Sequence, residues 1–247
     1  MDDKLFLKRL EDMLLRTEQR YSLEISDFLE PRLILLADDF MRTKGVGYFF
    51  WGGYDEAERK RLVIYPDYET EDIVLAEIAV IALNGKFDYV KVSHRDFLGA
   101  VLGLGLKREK IGDLLVSETG CYVVTTKEIA PYILNSEIRI KGVPVKGDLV
   151  ENFIPPKGDI KEIGVMVASM RLDVILANGF KLSRTGAQEL IAAHKVKVNH
   201  LEVTENDLLL KSGDVLSVRG KGKLKIGELN GSTKKGKLKV QLLKYGG

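Results

Sequence analysis

Twelve residues toward the C-terminal end have the types and spacing to hold a folded nucleic acid: Arg171, Lys181, Ser183, Arg184, Gln188, Lys195, Lys197, Asn199, His200, Arg219, Lys221 and Lys223. Guanidinium and ammonium groups supply charge to phosphate oxygens. Hydroxyl and amide groups fix register by hydrogen bonds, including bonds to 2′-hydroxyls. Those groups need elements to aim them. Leu172, Ile175 and Leu176 stand at i, i+3, i+4 and form one apolar helix face, with Gly179 placed as the stop. Ser183 is positioned to cap a second helix, in which Ala187, Leu190 and Ile191 repeat the apolar spacing. Arg184 and Gln188, four residues apart, share a face of that helix. Lys195, Lys197 and Asn199 alternate with Val196 and Val198, the period-2 pattern of a half-buried strand with its polar groups outward. His200 reads equally as an RNA contact and as a turn residue. Beyond it lies a basic hairpin tail, where Lys221, Lys223 and Lys225 alternate along one arm and Lys235, Lys237 and Lys239 along the other. Such rows either protect a sheet edge or meet phosphates; beside a basic module, phosphate contact is favoured.

The charge balance agrees. The whole chain of 247 residues is formally +2, but residues 157–247 hold 17 Lys and Arg against 9 Asp and Glu, net +8. Residues 1–156 hold 21 against 27, net −6. A basic module joined to an acidic body points to a polyanion partner for the C-terminal part. No run of about 18 apolar residues exists, so no membrane partner is expected. The start Met1-Asp-Asp-Lys-Leu lacks the pattern of a secretory signal, and Cys121 is the single cysteine. The expectation is a cytoplasmic protein with no metal, no cofactor and no small-molecule substrate.

Ahead of the basic module the pattern is mixed helix and strand. Leu7, Leu10, Met13 and Leu14, then Leu33, Leu36, Ala37 and Phe40, keep a helical rhythm over residues 2–42, broken between Tyr21 and Pro31. Val46–Gly53 and Arg61–Pro66 read as two strands. Their aromatics Tyr48, Phe49, Phe50 and Trp51 either fill a core or stack on bases, and the core is favoured. Residues 72–150 predict strands at Ile73–Leu83, Phe87–Val92, Ile111–Val116, Cys121–Thr126 and Ile138–Val145. Asn84-Gly85 reads as a hairpin turn, and helices are expected near His94 and at Ile129–Asn135. The order suits an α+β sandwich of ferredoxin-like, RNA-recognition-motif type, although the aromatic strand signature of that motif is absent. Asn152-Phe-Ile-Pro-Pro-Lys-Gly158 reads as a linker. Expected domains are therefore 1–70, a helical and hairpin region; 71–152, the ferredoxin-like middle; and 159–247, the RNA-binding module with its basic tail.

His94-Arg95-Asp96 invites an enzyme reading, with Asp96 as the nucleophile of a pseudouridine-synthase-like, RNA-modifying enzyme. Against it, Asp96 stands at a helix start, where a carboxylate caps and complements the dipole. A kinase loop is excluded, because Val101 occupies the position of the required Asn.

The ordered blocks Arg171-Leu-Asp, Ser183-Arg, Val196-Lys-Val-Asn199 and Gly213-Asp-Val-Leu-Ser-Val-Arg-Gly220 resemble the S-four (alpha-L) RNA-binding domain; His194 and His200 stand where that domain often has Gly. Read with Phe50-Trp-Gly-Gly, Ala57-Glu-Arg59, His94-Arg-Asp-Phe-Leu-Gly-Ala100, Arg108 and Ile111-Gly-Asp113, nearly the whole chain resembles the YlmH family of bacterial S-four proteins. The resemblance implies a non-enzymatic protein that binds structured RNA, ribosomal RNA or tRNA. It also implies association with the large ribosomal subunit in quality control of stalled translation. The alternatives are the Asp96 enzyme and an adaptor that binds a division or translation factor through the acidic residues 1–156.

Overall fold

The computed structural model describes every residue except 1, 67, 70, 118, 157–159, 233–235, 246 and 247. It divides into two compact units, residues 1–156 and 157–247. The linker positions Lys157 and Gly158, and Lys234 and Lys235 of the tail, lie outside the described residues.

In the first unit, α1 (Asp3–Arg20) starts at Asp2, whose side chain accepts from the Lys4 N–H, and buries Phe6, Leu10, Met13 and Leu14. Strand β1 (Glu24–Ile25) follows. Helix α2 (Pro31–Met41) opens on a proline and buries Leu33, Ala37 and Met41. Strands β2 (Gly47–Trp51) and β3 (Arg61–Tyr65) complete a small sheet of order β1-β3-β2. The aromatic run divides between two cores: Tyr48 and Phe50 pack with the helices, while Phe49 and Trp51 pack on the other face around Val63. Phe49 is buried and the other three rings are half-buried against these cores, which agrees with the favoured core reading.

The middle of the unit comprises β4 (Ile78–Gly85), α3 (His94–Gly103), β5 (Ile111–Val116), β6 (Gly120–Thr126), α4 (Ala130–Leu134), β7 (Ile138–Ile140) and β8 (Val143–Leu149). The sheet order β5-β6-β4-β8-β7 is antiparallel throughout. Four of its strands stand in the ferredoxin-like order, and β7 is added at one edge. Three local expectations differ. Ile73–Ala76 is a 3-10 turn, not the start of β4. Phe87–Val92 forms no strand, because the Phe87 ring turns inward onto Phe97, 5.7 Å between centroids, and covers Gly85. Gly85 instead ends β4 opposite Val145. The last expected strand is a hairpin, bent at Lys141-Gly142, where both residues take positive φ (50° and 84°), as a type I′ turn requires.

The two halves of this unit are joined through Asp113. Its carboxylate accepts from the Tyr54 hydroxyl (2.8 Å) and from the N–H groups of Glu58 (2.7 Å) and Arg59 (3.1 Å). The Arg59 guanidinium donates in turn to the carbonyls of Ile111 and Phe28. The motif residues shared with the YlmH resemblance thus include a clamp between the helical piece and the middle sheet.

In the second unit, β9 (Ile160–Val167) precedes α5 (Leu172–Gly179) and α6 (Arg184–Ala192). Strands β10 (Val196–Val198), β11 (Leu201–Glu202), β12 (Val215–Val218), β13 (Gly222–Ser232) and β14 (Leu238–Tyr245) follow. The sheet order is β11-β10-β12-β13-β14-β9, antiparallel, with the helices packed on one face over Val196, Leu216, Leu224 and Leu242. Strand β9 escapes sequence reading because its partner β14 is more than 70 residues away. Helix α5 does end at Gly179, but the left-handed residue that follows the helix end is Lys181 (φ 54°), not the glycine. Gly179 is required by packing, since a Cβ there would lie 2.3 Å from Leu224 Cδ1. Gly179→Ala gains about 0.5–1 kcal/mol of helix preference, but overpacking a closed core costs about 1–3 kcal/mol. A lower denaturation midpoint for the variant is the expected result, and a raised one would show that the core yields.

Candidate nucleic-acid interface

Helix α5 places Asp173 in its first turn, beneath α6, with no side-chain surface exposed. A carboxylate taken out of water needs donors. Asp173 Oδ1 accepts from Arg171 Nε (3.2 Å). Its Oδ2 accepts from Arg184 Nε (2.9 Å), Gln188 Nε2 (3.1 Å) and Arg171 Nη2 (3.4 Å). Burial alone raises the carboxyl pKa, but the bonds from Arg171, Arg184 and Gln188 outweigh it and hold the group below the ordinary aspartate value. The Arg171 and Arg184 side chains stay 35% and 59% exposed, so their remaining N–H groups face solvent. Their positions are fixed from inside while their outer edges stay open to a ligand.

Lys181 and Ser183 lie in the turn that leads into α6. Ser183 caps the helix, its Oγ accepting from the Gly186 N–H (3.0 Å), and Lys181 is exposed. Helix α6 then runs nine residues, about 14 Å, before Lys195. The Arg219 N–H donates to the Lys195 carbonyl (2.9 Å), which brings the two exposed cations together where the helix layer meets the sheet. Lys221 lies in the turn after β12, also exposed; Lys197 and Lys223 both pair with Ser217 across the sheet. Burial lowers the pKa of Lys223 from the usual lysine value.

Asn199 and His200 stand apart, at the far end of β10. They form the turn into β11 with positive φ at both positions (48° and 70°). The Asn199 side chain serves the fold: Nδ2 donates to Asp214 (2.9 Å) and Oδ1 accepts from the Val215 N–H (2.9 Å). His200 is half-buried, and burial, with Lys197 nearby, lowers its pKa, so it brings no charge near neutral pH. His194, also at positive φ, places Nδ1 2.6 Å from Glu202 Oε1. The positions where glycine was the usual occupant therefore keep their tight backbone, carried by histidine.

The residue that sequence reading missed is Asp173. Its signal was an acid in the first turn of one helix with Arg184 and Gln188 on a shared face of the next. Asp96, the enzyme candidate, receives bonds from the Ser93 N–H (2.8 Å) and Oγ (2.7 Å) and pairs with Lys141 (3.1 Å). It completes a capping box at the start of α3. Cys121 is buried, its thiol pushed up to about 12. Among the described residues, no helix is long and apolar enough to cross a membrane.

Three family models match the chain: "YlmH, N-terminal" over residues 2–69, "Putative RNA-binding domain in YlmH" over 69–152, and "S4 domain" over 170–216. The chain is 32% identical over 242 residues to the "Ribosome-associated protein quality control protein P2" of Bacillus subtilis (strain 168), covering 97% of this chain and 94% of the relative. A solved structure, "Cell division protein ylmH from Streptococcus pneumoniae", superposes with a TM-score of 0.53 at 23% identity, over 60% of this chain and 91% of that one. At that identity the likeness is one of fold.

The lowered pKa of Asp173 sets a sign. The carboxylate contributes stability that is present above its unfolded value of about 3.9 and is lost as pH falls through the lower folded value. Acid unfolding of the second unit should therefore be partly relieved of its pH dependence in Asp173→Asn. At pH 7 that variant should be less stable by about 1–3 kcal/mol. Denaturant titrations at pH 3 and pH 7 test both arms; an unchanged pH profile would remove Asp173 from this role.

Proposed function

Because this chain belongs to the YlmH family, we propose that it is a non-enzymatic RNA-binding protein that recognises structured ribosomal RNA or tRNA. We place its action on the large ribosomal subunit, in quality control of stalled translation. The observation that carries the reading is the arrangement of Arg171, Arg184 and Gln188 around buried Asp173, with open outer edges. A guanidinium held in place loses less freedom on meeting a phosphate, and its planar fork suits two oxygens at once. Lys181, Lys195, Arg219 and Lys221 add charge around it, while Ser183 and Gln188 supply neutral donors; Lys197, between buried Val196 and Val198, faces the other side of the sheet. The name of the Bacillus subtilis relative supports the ribosomal setting. The capping role of Asp96 favours this reading over the RNA-modifying enzyme.

Oriented and unoriented cations should behave differently when removed. Lys195→Ala with Lys221→Ala should leave stability within about 0.5 kcal/mol and flatten the salt dependence of RNA binding by about one unit of log–log slope per lysine. Arg184→Ala should weaken binding to purified large subunits at least tenfold. Only a modest stability loss should accompany it, because Arg171 and Gln188 still satisfy Asp173. Co-sedimentation with large subunits across a salt series, beside thermal melts, reads both. Wild-type binding by Arg184→Ala would refute the assignment.

A further inference from the structure

We propose that the outward face of the six-stranded sheet in the second unit is a binding site for single-stranded RNA, with Tyr245 stacking on a base and Lys197, Lys223, Lys225 and Lys239 meeting the flanking phosphates. This rests on the RNA-binding reading above and names a second surface for it, on the opposite side of the sheet from α5 and α6.

Register defines that face. Leu224, Ile226, Val240 and Leu242 are buried in the core beneath the helices, so their alternates on β13 and β14 point the other way. Cross-strand partners share a face, which places Lys197, Ser217, Lys223 and Tyr245 in one row across β10, β12, β13 and β14. At about 4.8 Å between strands that row spans about 14 Å. The next row is Val215, Lys225, Leu243 and Glu162. Val215, Leu243 and Tyr245 are only half-buried and belong to no core cluster among the described residues. A strip of apolar surface and a ring therefore lie open, bordered by lysines.

The lysines are not an edge defence. Strands β13 and β14 are interior to the sheet, whose edges are β11 and β9. Among the described residues the face carries few acids: Glu162 accepts from Gln241 Nε2 (2.8 Å), and Glu202, opposite Lys197 in register, lies 2.6 Å from His194 Nδ1. A partly open ring amid ammonium groups on an antiparallel sheet offers a base its π-face and offers the backbone its charge. A base inside a duplex has both faces occupied by its neighbours, so the ring selects unpaired RNA.

The probe is a fluorescein-labelled uridine 12-mer, titrated at low salt with the full chain. Tyr245→Ala should weaken its binding by about 5- to 100-fold, the range for loss of one stacked base, and Tyr245→Phe should stay within about twofold. Lys225→Glu, an exposed position beside it, should weaken the 12-mer independently of any effect of the Tyr245 change on folding. Arg184→Ala should leave the 12-mer unaffected while weakening large-subunit binding, which separates the two faces. Wild-type affinity in both Tyr245→Ala and Lys225→Glu, or no measurable binding of the 12-mer by the native chain, overturns the sheet-face site and leaves the helix-face reading standing. If those two variants lose subunit association while the 12-mer binds normally, the face serves a protein surface and the proposal fails.

Discussion

A carboxylate withdrawn from water imposes order on whatever neutralises it, and Asp173 is such a group. Its oxygens on α5 are satisfied by donors from α6 and from the residue that caps α5, so the α5–α6 arrangement and the aim of Arg171, Arg184 and Gln188 are one constraint. The desolvation cost is offset only while those donors stay in place. The outer edges of the arginines thereby become a fixed pattern without a ligand, and ordering them at the moment of binding costs little. Among the described residues, Lys195 and Lys221 have no such inner anchor, so the direction of their charge is left free. Register and affinity are thus assigned to different residues.

The turns obey a second constraint. Lys181, His194, Asn199 and His200 all take positive φ within a span of twenty residues. Each non-glycine left-handed residue costs about 1–2 kcal/mol, less for Asn. Glycine would remove the strain and also the side chain. Asn199 uses its amide to tie the end of β10 to Asp214 and Val215, and His194 reaches Glu202 across the start of the strand pair. In these two cases the side chain gives back contacts that glycine could not make.

Periodicity revealed what depends on neighbours in sequence. The apolar spacings of α1, α2, α5 and α6, the cap at Ser183 and the alternation at Val196–Val198 were legible because each is a local rule. The ferredoxin-like class was legible from the sequence of element types, although the strand expected at Phe87–Val92 is absent and the last one is a hairpin. What stayed hidden depends on distant partners. Strand β9 is defined by β14, and Phe87 turns inward because Phe97 waits in the core. Gly179 ends α5 as its type suggested, but its smallness also answers Leu224, far along the chain. At the site, spacing showed which faces carry Arg184 and Gln188, yet their convergence on one oxygen of Asp173 spans 11 and 15 residues.

The basic charge of residues 157–247 is therefore not one patch. The helix side presents oriented arginines; the sheet side presents lysines in rows with a ring at the end. Between them, Lys195 leaves α6 and enters β10, and Arg219 leaves β12 bonded to its backbone, so this pair stands at the seam of the two layers. On the proposed reading, an RNA engaging both faces crosses that seam, where Lys195 and Arg219 offer charge to its phosphates. A stem against the helices continuing into an unpaired strand across the sheet satisfies the geometry. A continuous duplex does not, because its stacked bases leave the ring nothing to cover.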